Sequence, residues 1–160
     1  MIVLGIDPGL ATVGYAFLSI DGGKKKILDM GTITTPPHLA LSERLVMIET
    51  DLIDLIQKYS PDVCGVEELF FTKNVKTGIA VAHARGIILS TVSKHHILLI
   101  EFTPLEVKHQ VTGDGKADKT QMKKMLELMF PNVHFSSQDD ANDALAIALA
   151  TSYSHSTSMK

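Results

Sequence analysis

The spacing of apolar residues along this chain permits few folds: three strand-like runs come in succession, and from there helices and strands alternate. Residues 2–7, 13–20 and 26–34 read as strands, joined at Asp7-Pro8-Gly9 and Asp21-Gly22-Gly23, both strong turn sequences. Connections this short predict an antiparallel meander. Pro36-Pro37 ends it, and Leu41, Leu45, Ile48, Leu52, Leu55 and Ile56 then recur at helical spacing to about Tyr59, which predicts an amphipathic helix. Residues 63–67 form the next strand, reached through a helix and therefore expected to lie parallel to the first.

A helix capped by Asn74 is expected to run to about Ser93, with the small residues Ala80, Ala82, Ala84 and Gly86 allowing close packing. An apolar strand follows over 97–102, then a short helix from about Pro104. After a loop at Thr112-Gly113-Asp114-Gly115-Lys116, Asp118-Lys119-Thr120-Gln121 reads as a capping box opening a helix to Phe130. A last helix is expected from about Ser137. The order β-β-β-α-β-α-β-α-α-α predicts an α/β fold, a mixed five-stranded sheet flanked by helices. At 160 residues, one domain spanning 1–152 can bury roughly 70% of its unfolded surface. The polar residues 153–160 are expected to fray.

The single Cys64 excludes an internal disulfide and a zinc cluster. No apolar run approaches the ~18 residues that cross a bilayer, and no basic segment precedes the first apolar run, so a cytoplasmic protein is expected. A net charge of −3 argues against coating nucleic acid by bulk electrostatics. It leaves room for an enzyme whose acids gather around cations while lysines elsewhere form a local stripe.

The acids are placed for that. Asp7 ends the first strand, Glu67 and Glu68 end the fourth, and Asp139, Asp140 and Asp143 open the last helix. A lone acid after a strand is commonly a turn residue, and acids in a first helical turn each contribute about 0.3–1 kcal/mol through the helix dipole. That accounts for Asp139 and poorly for Asp143, which stands three residues beyond Asp140 and beside the apolar stripe of Ala144 and Ile147. Only one of Glu67 and Glu68 can share a face with Asp7, and the flanking apolar residues do not choose between them. Converging carboxylates raise one another's pKa or recruit cations, and an all-oxygen set suits Mg²⁺ or Mn²⁺. Two such ions about 3.5–4 Å apart would serve an in-line displacement at phosphorus, so phosphodiester hydrolysis is the expected chemistry.

Gly5-Ile6-Asp7-Pro8-Gly9, Val66-Glu67-Glu68-Leu69-Phe70 with Lys73-Asn74 close behind, Val107-Lys108, the Thr112 to Lys119 loop and Asp140-Ala141-Asn142-Asp143-Ala144-Leu145-Ala146 occur in a fixed order. In that order and spacing, over nearly the whole chain, the sequence resembles the RuvC-type Holliday junction resolvases. The resemblance implies a ribonuclease H-like fold (retroviral integrase superfamily), a homodimer, and symmetric Mg²⁺-dependent nicks in four-way junction DNA that leave 5′-phosphate and 3′-hydroxyl ends. It implies coupling to a RuvA/RuvB-type branch-migration complex. It implies Asp7, Glu67, Asp140 and Asp143 as catalytic metal ligands for two Mg²⁺, with Asp139 the alternative to Asp140.

Lys108 and Lys119 match family lysines near the scissile phosphate, where an ammonium group stabilises charge developing on phosphorus. Phe70 matches an aromatic that stacks on a base at the crossover, an interaction of roughly 1–3 kcal/mol, with Phe71 packing into the core or sharing that role. Lys73, Lys76, Lys116 and Arg85 would extend the basic surface. Lys24-Lys25-Lys26 is expected in an exposed hairpin turn without a binding role. An actin-like ATPase shares the Asp7-Pro8-Gly9 and Gly14 pattern but needs two related domains. A ribonuclease H-like RNA-processing nuclease would tend to be shorter and lack the lysine loop, and a non-catalytic junction-binding module would lack part of the acid set.

Overall fold

The computed structural model describes residues 1–69, 75–133, 135 and 140–158. Strands β1 (Ile2–Asp7), β2 (Thr12–Asp21) and β3 (Lys24–Thr34) form the meander, followed by α1 (Leu41–Tyr59), β4 (Val63–Glu67), α2 (Val75–Lys94), β5 (Leu98–Phe102), α3 (Pro104–Thr112), α4 (Lys119–Met129) and α5 (Asp140–Ser158). The sheet order is β3-β2-β1-β4-β5. β1 pairs antiparallel with β2 and parallel with β4, and β5 joins β4 in parallel. The mixed five-stranded sheet expected from the sequence is therefore present, with β1 and β4 as its central pair.

Strand alternation divides the core. Leu4, Ile6, Cys64 and Val66 pack with Ile48, Leu52 and Ile56 of α1 and Ala84, Ile88 and Val92 of α2. Val3 and Val63 point the other way, into a cluster with Ala144, Leu145, Ile147, Ala148 and Leu149 of α5. α5 is apolar on nearly every side because helices α3 and α4 cover the flank that the sheet leaves open. Its alanines bring it so close to β1 that a Cβ on Gly5 would run into the carbonyl of Ala144 and the backbone nitrogen of Ala148. Asp62 Oδ2 accepts a 2.6 Å hydrogen bond from Ile2 N, fixing where β4 starts against β1.

Three local expectations are corrected. Lys24, Lys25 and Lys26 form the start of β3, because Gly22 and Gly23, both at positive φ, make the turn by themselves. Lys25 Nζ lies 4.7 Å from the centroid of the Tyr153 ring. Residues past 152 do not fray at once: α5 continues to Ser158, and half-buried Tyr153 packs on the core with its hydroxyl 4.0 Å from Met129 Sδ. The third is Arg85, which does not face outward toward nucleic acid. Its Nε donates to Glu67 O at 3.0 Å, and its guanidinium pairs with Glu101 on β5. It braces the strand end that carries Glu67. The expected cap Asn74 and start Ser137 lie outside the described residues.

Candidate active site

The carboxylates meet where the central strands end. Asp7, last residue of β1, lies across the ladder from Gly14. A Cβ on Gly14 would strike the backbone carbonyl of Asp140, so the start of α5 rests directly on β2 beside Asp7. One carboxylate oxygen from each of Asp7, Asp140 and Asp143 lies within 4.8 Å of the others, all half-buried. Glu67 ends β4 and shares the α5 face with Val63, while Glu68 is exposed and its amide donates to Phe102 O at 2.7 Å. Glu67 and Asp143 line one cleft with Asp7, about 290 Å³ in volume.

Two lysines face these acids. Lys108 sits on α3, whose start is fixed by a reciprocal cap: Thr103 Oγ1 accepts from Glu106 N at 3.3 Å, and Glu106 Oε2 accepts from Thr103 N at 2.8 Å. Lys119 is the first residue of α4, whose cap Asp118 accepts from Gln121 N at 2.8 Å. Both lysines line the cleft, and Lys119 Nζ is 3.5 Å from Asp143 Oδ2. Lys116 stands exposed in the preceding loop, its amide donating to Asp114 Oδ1 at 2.8 Å, and it is not among the cleft-lining residues.

The electrostatics follow from burial and crowding. Burial raises the Asp7 carboxyl first, and Glu67, Asp143 and Asp140 raise it further against the pull of Lys119, to about 8 from 3.8. Glu67 is pushed up to about 6 by burial and by Asp143, against Lys108 and Lys119. Without a cation the site resists the ionisation of its own acids. An all-carboxylate donor set of this kind fits a hard divalent cation, which would supply the missing charge. A positive rim on the same cleft fits a phosphate.

The sequence-predicted residues thus divide plainly. Asp7, Glu67, Asp143, Lys108 and Lys119 share the cleft, and Asp140 joins the carboxylate cluster from its edge. Phe70, Phe71, Lys73 and Asp139 lie outside the described residues, as does the side chain of Lys76. Arg85 bracing Glu67 is a function that sequence reading misses, since its partners are brought together only by the sheet. The Thr103/Glu106 cap that aims Lys108 is different: its S/T-x-x-E signature is visible in the sequence.

A sequence profile described as crossover junction endodeoxyribonuclease RuvC matches residues 3–151. A protein of that name from Halothermothrix orenii is 44% identical over 160 residues, covering 100% of this chain and 97% of the relative. Another from Brachyspira hyodysenteriae is 48% identical over 150 residues, 94% of this chain and 92% of its own length. Among solved structures, Thermus thermophilus RuvC in complex with Holliday junction substrate superposes with a TM-score of 0.91 at 26% identity, covering 99% of this chain and 96% of that one. The fold is accordingly ribonuclease H-like.

Proposed function

The chain belongs to the RuvC family of crossover junction endodeoxyribonucleases, and from that premise we propose how its cleft cuts DNA. The protein is an endonuclease that resolves four-way junctions in DNA recombination and repair. The reading of its mechanism rests above all on one observation: the Asp7, Asp140 and Asp143 carboxylates converge, and Asp7 and Asp143 line one cleft with Lys108 and Lys119.

Asp7, Glu67, Asp140 and Asp143 are the catalytic acids, and they would hold two Mg²⁺, for which Mn²⁺ could substitute. Ions held there would supply a water of lowered pKa and charge to neutralise the departing oxygen. Lys108 and Lys119 grip the non-bridging oxygens of the scissile phosphate and stabilise the charge that develops there. Lys119 leaves Asp143 to do so. Gly14 and Arg85 act indirectly: the first lets α5 seat Asp140 beside Asp7, and the second holds Glu67 at the end of β4. Hydrolysis leaves 5′-phosphate and 3′-hydroxyl ends, and two protomers of a homodimer nick two strands symmetrically. Phe70 stacks on an unpaired base at the crossover, with Lys73, Lys76 and Lys116 holding flanking phosphates. The domain works in the cytoplasm and receives its junction from a RuvA/RuvB-type branch-migration complex.

An end-labelled four-way junction, a duplex of the same sequence and an RNA–DNA hybrid, each incubated with Mg²⁺, test this reading. Paired nicks at symmetric positions in the junction alone are expected. Cleavage of the hybrid, or of duplex and junction alike, would reassign the substrate, and activity undiminished in EDTA would remove the metal.

A further inference from the structure

Asp140 of the carboxylate cluster also borders a second cavity, about 500 Å³ in volume, lined by the turn Gly9 to Thr12, by Arg44 of α1 and by Ala80 and Val81 of α2. It shares no lining residue with the lysine cleft. Arg44 is fixed at its edge. Its Nε donates to Thr35 Oγ1 at 2.7 Å, and that buried hydroxyl donates in turn to Leu10 O at 2.6 Å, while Thr35 N donates to Ala11 O at 3.0 Å. One of the five guanidinium donors is thereby spent on aiming the side chain, and the amino groups remain. Glu43 next to it is committed elsewhere, accepting from Ala40 N at 2.8 Å. Among the described residues Arg44 pairs with no carboxylate.

A half-buried guanidinium, held by its Nε beside a roomy cavity, suits an anion that presents two oxygens to its fork, as the non-bridging oxygens of a phosphodiester do. Asp140 belongs both to this cavity and to the carboxylate cluster, whose Asp7 and Asp143 line the lysine cleft, so a DNA strand bound at the cluster has Arg44 within reach as well as the two lysines. We propose that the Arg44 cavity is a second phosphate subsite, gripping a backbone phosphodiester of the cleaved strand beside the scissile one. Arg44 is a binding residue there and Thr35 a positioning residue. This rests on the reading of the chain as a junction endonuclease.

The test measures binding of a four-way junction without divalent ions, over a range of salt, for the wild type, Arg44→Ala and Arg44→Lys. Arg44→Ala should weaken binding roughly tenfold or more and reduce the slope of log K against log salt by about one. Arg44→Lys should recover the slope but only part of the affinity, because it keeps the charge and loses the fork. Junctions carrying one neutral methylphosphonate at each linkage near the cut then locate the contact: one substitution should weaken the wild type and have no further effect on Arg44→Ala. A purely structural role for Arg44 would leave every such substitution additive with Arg44→Ala, and that result, or an unchanged slope, overturns the proposal. If Arg44→Ala is unfolded at the assay temperature, the same scan on Arg44→Gln decides. A wild type that nicks no junction would instead refute the function on which the proposal stands.

Discussion

Replacing Asp7 with Asn should make the metal-free protein more stable, although it removes a side chain of the carboxylate cluster. Burial and three neighbouring acids raise the Asp7 carboxyl from 3.8 to about 8. At about 1.4 kcal/mol per pKa unit, ionising it in the folded protein costs roughly 6 kcal/mol at the limit where nothing rearranges. Water entry and a shift of Lys119 lessen that, leaving about 2–3 kcal/mol to be gained by a neutral amide. The sign with pH follows. Below the unfolded carboxyl value both states are protonated and the term vanishes; as pH rises toward about 8, the unfolded chain ionises while the folded one holds its proton, so metal-free stability falls. Asparagine removes this loss. Thermal unfolding in EDTA should place Asp7→Asn roughly 4–10 °C above the wild type near pH 8, with the gap shrinking as the pH falls and closing only below the unfolded value of 3.8. Added Mg²⁺ should raise the wild type and narrow the difference, because ions bound only by the folded state stabilise it. An Asp7→Asn protein that melts at or below the wild type in EDTA at pH 8 would refute the account of a crowded, charge-frustrated cluster.

Glu67→Gln, Asp140→Asn and Asp143→Asn should each lower junction nicking at least about 100-fold while leaving junction affinity within a few-fold, measured by single-turnover cleavage and gel shift; full activity in any one removes that acid from the catalytic set. Lys119→Gln should slow cleavage about 10²–10³-fold with metal dependence unchanged. Gly14→Ala should cost about 1–3 kcal/mol in urea unfolding and at least tenfold in nicking, because its Cβ displaces the backbone of Asp140. For Phe70→Ala, retained binding with weak cleavage is expected, whereas loss of folding would assign the ring to the core.

Most of this architecture is legible in the sequence because local chemistry and global pairing agree. Asp21-Gly22-Gly23 makes a tight turn, so β2 and β3 pair antiparallel, and the six apolar residues spaced along α1 include its buried Ile48, Leu52 and Ile56, although Leu41 at the helix start is exposed. Glu67 and Glu68 resist such reading because both faces of β4 are buried: Val63 and Gly65 on one side, Cys64 and Val66 on the other. What distinguishes the faces is which helix covers each, a matter of contacts distant in sequence. The same holds for Arg85, whose partners Glu67 and Glu101 become neighbours only when β4 and β5 pair, and for Arg44, which reaches the turn after Asp7 only through Thr35. The lysines of β3 mislead for another reason: a run of like charges looks like a loop, yet strand alternation lets Lys25 lie over the Tyr153 ring.

The seating of α5 on β1 and β2 has a consequence in time. Asp7 and Glu67 leave the ribosome early, but Asp140 follows Glu67 by 73 residues, an interval of roughly 4–15 s at ordinary synthesis rates. Throughout that interval Asp140 and Asp143 are missing, and the carboxylate cluster does not exist. A nuclease that drew its acids from neighbouring positions could nick DNA as a half-made fragment. Here the carboxylate cluster closes only when the last helix docks onto the first strands, so under the proposed mechanism completion of the fold is itself the safeguard.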